Sequence, residues 1–592
     1  MSTTSARPAG RRRSGRTALT VLAAAVALAA GAAAGTPAVA AGAPHTGTPR
    51  PAPRHTAPDA PAPALAHRHR AAAAPDRTAA GGSPRAAATA ASSRFDVDSD
   101  GWTDPLFRDL DDNLYDLHTS DASVAPYDVP GYTGTLPKDV LAPGDLTGDG
   151  QNDLLVLTQD GTLALHPQKS AQGSRAAVWS GSGWQAYNKL FAPGDVTGDG
   201  RADLLARTPD GDLYLYPGTG SVSAPFASRT AVGGGWSAYD QLVGLGDTDG
   251  DGLGDVAART PGGDLYLYRG TGKPAAPLAA RAAVGGGWQT YNQLLSADDW
   301  DGDGLADLMA RDYQGVLWFY SADGKGNFTA RQQLGTGWTS AQFANAGGVP
   351  AWGRRELVGL DRKGTLYWYG GMGDGQLSAR QQASDTGGFA GAKLTYASSL
   401  DPEGYADLLE LYNGTLYNYN SPAGGGELAS GWPNYPLVLG PGDLTGDGHG
   451  DLLARDSSGV LWLYPGRGDG ASLAARTKVG GGWDAYNSLV GSGDFTGDGR
   501  TDIVARTPAG TLYLYPGTGR AAVPFLAKVK LGTGWQQYGQ LVSPGDLDGD
   551  GRADLLGANS AGTLYRYSSY GSGQFRARVK LGTGWDTYLR LF

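Results

Sequence analysis

Asp247-Thr248-Asp249-Gly250-Asp251-Gly252-Leu253-Gly254-Asp255 is the clearest copy of a loop that this chain repeats. Counted from Asp247, carboxylates stand at positions 1, 3, 5 and 9, and glycine stands at position 6. Calcium takes about six to eight oxygens from carboxylates, carbonyls and water, and this spacing wraps such oxygens around one point. The glycine lets the chain reverse with φ > 0. Position 7 is expected to offer its backbone carbonyl, which leaves its side chain free to vary. It does vary, through Trp102, Gln151, Arg201, Leu253, Leu305, His449, Arg500 and Arg552.

Eight loops fit the pattern D-x-[DT]-x-D-G-x-x-D. Four carry a third carboxylate before the final Asp: Asp96, Asp98, Asp100 and Asp104; Asp247, Asp249, Asp251 and Asp255; Asp299, Asp301, Asp303 and Asp307; Asp546, Asp548, Asp550 and Asp554. Four have threonine at position 3: Asp145, Thr147, Asp149 and Asp153; Asp195, Thr197, Asp199 and Asp203; Asp443, Thr445, Asp447 and Asp451; Asp494, Thr496, Asp498 and Asp502. A neutral hydroxyl is the weaker ligand, so lower affinity is expected there. Two further units are degenerate. One has Ser399, Asp401, Glu403 and Asp407, expected to bind poorly. The other has Gly348, Pro350 and Trp352 before Glu356, expected not to bind. The cofactor expected is Ca2+, about eight ions in all; magnesium tolerates crowded protein cages poorly.

The last carboxylates of the ten units are spaced 44 to 52 residues apart. That period suits a propeller blade, and glycine at every turn disfavours helix. Each unit offers four strands: the loop's apolar tail (Asp203 to Arg207), an alternating strand (Leu213 to Tyr216), an Ala-Arg-x-x-Val strand (near Arg281 to Val284) and one following Gly-Gly-Trp (Tyr291 to Leu295). Four strands per unit is one blade, so the fold class expected is all-β, a β-propeller of ten four-stranded blades. The first unit lacks the strand that precedes its loop. Trp585 to Phe592 is such a strand, expected to complete a blade begun early in the chain and remove an exposed edge.

Of the 48 basic and 58 acidic residues, 12 and 2 lie within residues 1–94, leaving 36 and 56 for the remainder. The body is therefore strongly acidic, which disfavours nucleic acid as a partner. Arg11, Arg12, Arg13 and Arg16, an apolar run from Ala18 to Ala34 and Ala38-Val39-Ala40 read as a cleaved export signal over 1–40. Residues 41–93 read as a disordered Ala/Pro-rich linker. Secretion is expected, with no membrane span after cleavage. With no cysteine, neither disulfides nor thiolate chemistry is available, and bound cations are a candidate staple.

The loops and their Asp-Leu-Leu-Ala-Arg tails resemble FG-GAP or VCBS repeats, the calcium-loop propeller units of integrin heads and many secreted bacterial proteins. The resemblance spans nearly all of 94–592 and implies calcium at the positions given. The stretch from Ala577 to Phe592 is similar to the repeat of tachylectin-type lectins, five-bladed propellers that bind N-acetylated sugars. Ten units would then form two rings, 94–346 and 347–592; one larger ring is the alternative. The Asp-Asn-Trp stretch of that lectin family is absent here (compare Pro274 to Ala280), so sugar specificity does not carry over.

Trp184, Trp236, Trp288, Trp483, Trp535 and Trp585 each precede a tyrosine by three residues. Such rings suit a sugar face, and equally suit packing between blades. Among histidines of the repeat region, His118, His166 and His449 fall at different repeat positions, so no unique acid/base set emerges. The reading is a non-catalytic, calcium-loaded module for extracellular glycan or another cell-surface polymer. Its alternatives are an adhesive scaffold for protein partners and a polysaccharide-acting enzyme.

Overall fold

The computed structural model describes residues 93–592 apart from 95, 98–101, 119–122, 133–135, 171, 351–354, 402, 420–425, 433–434, 492 and 572–573. The proposed signal and all but the last residue of the linker lie outside the described residues, as do Asp98, Asp100 and Trp352. Ten antiparallel sheets account for the strands, nine of them four-stranded and one with a short fifth strand. The helices are single 3-10 turns. The protein is all-β, built as propeller blades.

The third sheet shows how a unit folds. Its strands are Lys189–Gly194, Asp203–Arg207, Leu213–Tyr216 and Thr230–Gly233, hydrogen-bonded in that order. All five residues of Asp203–Arg207 are buried, as a strand between two others and under a neighbouring sheet must be. Along Leu213–Tyr216 burial alternates with the period of the pleat, the leucines fully in and the tyrosines half out. Thr230–Gly233 is exposed at the outer edge. Between sheets the chain turns at Gly235 (φ 87°) into the 3-10 turn Trp236–Ala238. Only glycine takes that left-handed backbone without strain.

Ten buried apolar clusters each draw on two neighbouring sheets. Followed from sheet to sheet, they return to their start twice. One cluster joins the fifth sheet to the first through Leu317, Trp338, Phe343 and Leu117. Another joins the tenth to the sixth through Leu564, Trp585, Leu357 and Tyr369.

The strand pairing corrects one expectation. The chain's last strand, Tyr588–Leu591, pairs with Glu356–Asp361 of the sixth unit (Gly359 opposite Leu591), not with the first unit. The first sheet instead receives Gln342–Phe343, with Phe107 opposite Phe343. Each run of five sheets thus begins one strand short and is completed by the strand that ends it.

Candidate metal centres

In units two to five and seven to ten the acidic loop lies between the first and second strands of its sheet, and backbone amides preset its shape. In the third unit Asp195 accepts from Gly198 N through Oδ1 and from Gly200 N through Oδ2, both at 2.6 Å. Asp199 accepts from Arg201 N at 3.0 Å. Asp203 Oδ2 accepts from Val196 N and Thr197 N at 3.0 and 3.1 Å, while its Oδ1 accepts from Gly218 N at 2.9 Å. The last carboxylate therefore ties the loop to the third strand of the sheet. Position 6 has positive φ wherever it is described, as at Gly200 (82°) and Gly252 (83°).

The donors converge. In Asp247, Asp249 and Asp251, and again in Asp299, Asp301 and Asp303, one carboxylate oxygen from each residue lies within 4.8 Å of the others. Asp249 Oδ1 is buried and accepts no hydrogen bond among the described residues, which leaves a lone pair for a cation; its Oδ2 meets Arg269 at 2.9 Å. Hard oxygens held this close repel one another unless a cation sits among them. The residues therefore fit a divalent cation, and positions 1, 3 and 5 of these two loops would hold it. In the threonine loops the hydroxyl turns to position 1, as Thr197 does to Asp195 at 3.2 Å.

Burial sets the electrostatics of position 9. Desolvation pushes Asp153 up to about 7 and Asp203 and Asp255 to about 6, against the lowering effect of their backbone hydrogen bonds. Desolvation also takes Asp307 to about 9, with Asp301 and Asp303 adding to the rise.

The two degenerate units have other uses for their groups. Ser399 Oγ accepts from Gly404 N at 3.1 Å, taking over part of what the first Asp does elsewhere. Glu356 accepts from Tyr396 OH at 2.6 Å and from the indole of Trp368. In the first unit, Asp104 lies with Asp116 and His118, one ligand atom from each within 4.8 Å of the others. Sequence reasoning passed over Asp116 and weighed His118 only as an acid/base candidate, because neither belongs to the loop spacing. Their signal was two polar residues on the inner strand Leu114–His118, where sister strands such as Leu213–Tyr216 read Leu-Tyr-Leu-Tyr.

The loops face two environments. In units two to five, position 5 is exposed at Asp149, Asp199, Asp251 and Asp303. In the second run the loops of units seven, nine and ten are hydrogen-bonded to the first run. Asn188 Nδ2 donates to Asp498 O at 2.6 Å, Asn292 Nδ2 to Asp548 O at 2.9 Å, and Leu136 N to Glu403 O at 2.8 Å. Asp494, Asp546, Asp548 and Asp550 are buried there.

The tryptophans sit between sheets. Trp184, Trp236, Trp288, Trp483, Trp535 and Trp585 are 7–8% exposed, and Trp236 packs on Tyr268 of the next sheet at 4.6 Å between ring centres. Outside each such pair stands a cation on an aromatic face, as Arg229 on Tyr214 (4.3 Å) and Arg476 on Trp462 (4.1 Å). Arg229 also donates to Tyr187 OH, which is bonded to Tyr216 OH at 2.6 Å.

Residues 145–206, 195–258, 247–310, 443–505 and 494–557 match the FG-GAP-like repeat. The chain contains FG-GAP-like repeats. Each match runs from one acidic loop through the strand that follows the next, so the unit recognised is the loop-and-blade module described above. No curated protein matches the chain. Among the described residues no helix is long and apolar enough to cross a membrane.

Proposed function

We propose that this FG-GAP-like repeat protein is a secreted, calcium-loaded, non-catalytic binding module whose partner is an extracellular glycan or cell-surface polymer. The two closed circuits of sheet packing are read as two five-bladed rings. Repetition is the observation that carries the proposal. The same carboxylate cup and the same Tyr–Tyr–cation cluster recur from unit to unit, as with Tyr187, Tyr216 and Arg229, or Tyr435, Tyr464 and Arg476. A frame that repeats one weak contact many times gains avidity from geometry alone. An active site would need a singular acid/base arrangement instead.

Calcium fits the all-oxygen donor sets better than metals that prefer nitrogen or sulfur. The exposed guanidinium groups and tyrosine hydroxyls at the outer seams supply polar partners for sugar hydroxyls beside aromatic faces. Export follows from the reading of residues 1–40.

A glycan array probed in calcium and in chelator tests this. Binding to a glycan that weakens with Arg229→Ala or Arg476→Ala, in variants that melt like the parent, supports the reading. No glycan bound under either condition sinks it and favours a scaffold for protein partners. Turnover of a polysaccharide by the purified chain would make it an enzyme.

A further inference from the structure

The tenth loop differs from its siblings in what faces its carboxylates. The residue opposite Leu556 on the next strand is Arg566. At the same pairing position, units two to five, eight and nine carry Leu165, Leu215, Leu267, Phe319, Leu463 and Leu514. An arginine has replaced a core side chain, and it is only 8% exposed.

Its Nη1 lies 2.7 Å from Asp548 Oδ2 and 3.5 Å from Asp554 Oδ2. One nitrogen therefore stands between positions 3 and 9 of the loop. Ser568 Oγ donates to the same Asp548 oxygen at 2.6 Å. Position 5 is also paired, since Arg552 Nη2 lies 3.0 Å from Asp550 Oδ2. Arg552 Nη1 reaches across the seam to Asp240 at 3.6 Å. No such cation spans positions 3 and 9 of any other loop among the described residues.

We propose that in the tenth loop the guanidinium of Arg566 takes the place of a metal ion, so that this loop keeps its shape and its seam contacts without calcium. The charge is tethered to the adjoining strand, so it is present at any ion concentration. A divalent ion approaching the same oxygens would meet a fixed positive charge in a buried site, where screening is weak. The rival is an ion bound beside the guanidinium. Asp546, Asp548 and Asp554 still bring oxygens within 4.8 Å of one another, and Asp548 Oδ1 and Asp554 Oδ1 are buried without a hydrogen bond.

Counting the calcium bound by the full chain at equilibrium dialysis separates the two; this arm rests on the calcium reading of the other loops. Asp301→Asn, in a loop without such an arginine, is expected to lose one equivalent. Asp548→Asn is expected to lose none, and Arg566→Leu to gain one. Loss of an equivalent in Asp548→Asn, or no gain in Arg566→Leu, overturns the proposal. Should Asp301→Asn also change nothing, the calcium reading is what fails, and melting in chelator then decides. There Arg566→Leu should lower the midpoint by roughly 3 °C or more, since it strands buried carboxylates. Adding Asp548→Asn should recover part of that loss. Strictly additive losses overturn the proposal whatever the calcium count.

Discussion

Gly198 and Gly200 share a positive φ but differ in surroundings. A Cβ at Gly200 would meet nothing within 4 Å, whereas one at Gly198 would come 3.1 Å from Gly272 Cα. Gly200→Ala should therefore cost only the left-handed backbone, about 1–2 kcal/mol. Gly198→Ala should cost more, because backbone must also move. Denaturant melts of the two variants check the order. Position 9 predicts a pH dependence. Asp153, Asp203 and Asp255 have folded values of about 7, 6 and 6, against about 3.9 for an unfolded Asp. Between those limits the folded state holds more protons than the unfolded one, so metal-free stability falls as pH rises through that window and levels above it. On the proposed calcium reading, the ion would replace those protons, and its stabilising effect should grow over the same range. Melting in chelator and in calcium at pH 5 and pH 8 tests both signs. The alternation of carboxylate and glycine made these loops readable, because ligand spacing is local. The rise at position 9 was not readable, since it comes from burial under other strands.

At the scale of elements, the strands follow from period-2 alternation and glycine turns, and they fall where those signals put them. Less visible was the role of the arginine ending the Asp-Leu-Leu-Ala-Arg stretch. Arg207 is buried and donates to the carbonyls of Trp236 and Tyr239 at 3.1 and 2.6 Å, and Arg259 does the same to Trp288 and Tyr291 at 3.0 and 2.6 Å. Each arginine thus fixes the turn leading into the next sheet. The tryptophan of that turn fills the space between sheets, and Trp236→Ala should cost about 3–5 kcal/mol, read from denaturant unfolding. A chain ending at Thr587 would leave Glu356–Asp361 with only one of its two neighbouring strands, Leu366–Gly370, and remove Tyr588, Leu591 and Phe592 from two clusters. Hydrogen exchange should then rise in Glu356–Asp361 and stay unchanged in Leu106–Arg108, whose partner is Gln342–Phe343. Equal protection in both chains would contradict this closure.

Across the whole molecule, the acidic loops are unequally exposed, which would give the proposed calcium ions unequal access. Loops starting at Asp145, Asp195, Asp247 and Asp299 open outward at position 5, while the one starting at Asp494 lies against the first run. Stopped-flow chelation should therefore resolve a fast phase and a slow one, and substitutions at Asn188, which bonds Asp498 O across the seam, should speed the slow phase. A single fast phase would remove the distinction. The sequence by itself determined the repeat, the strands, the turns and the carboxylate cups, because each is specified by neighbours within one unit of chain. Tertiary structure alone decided which strand completes which sheet, which loops are buried at the seam, and that Arg566 faces Asp548 and Asp554. Those outcomes depend on contacts between sheets and on the pairing of distant strands. Near-identical units carry too little difference in sequence to say which copy meets which.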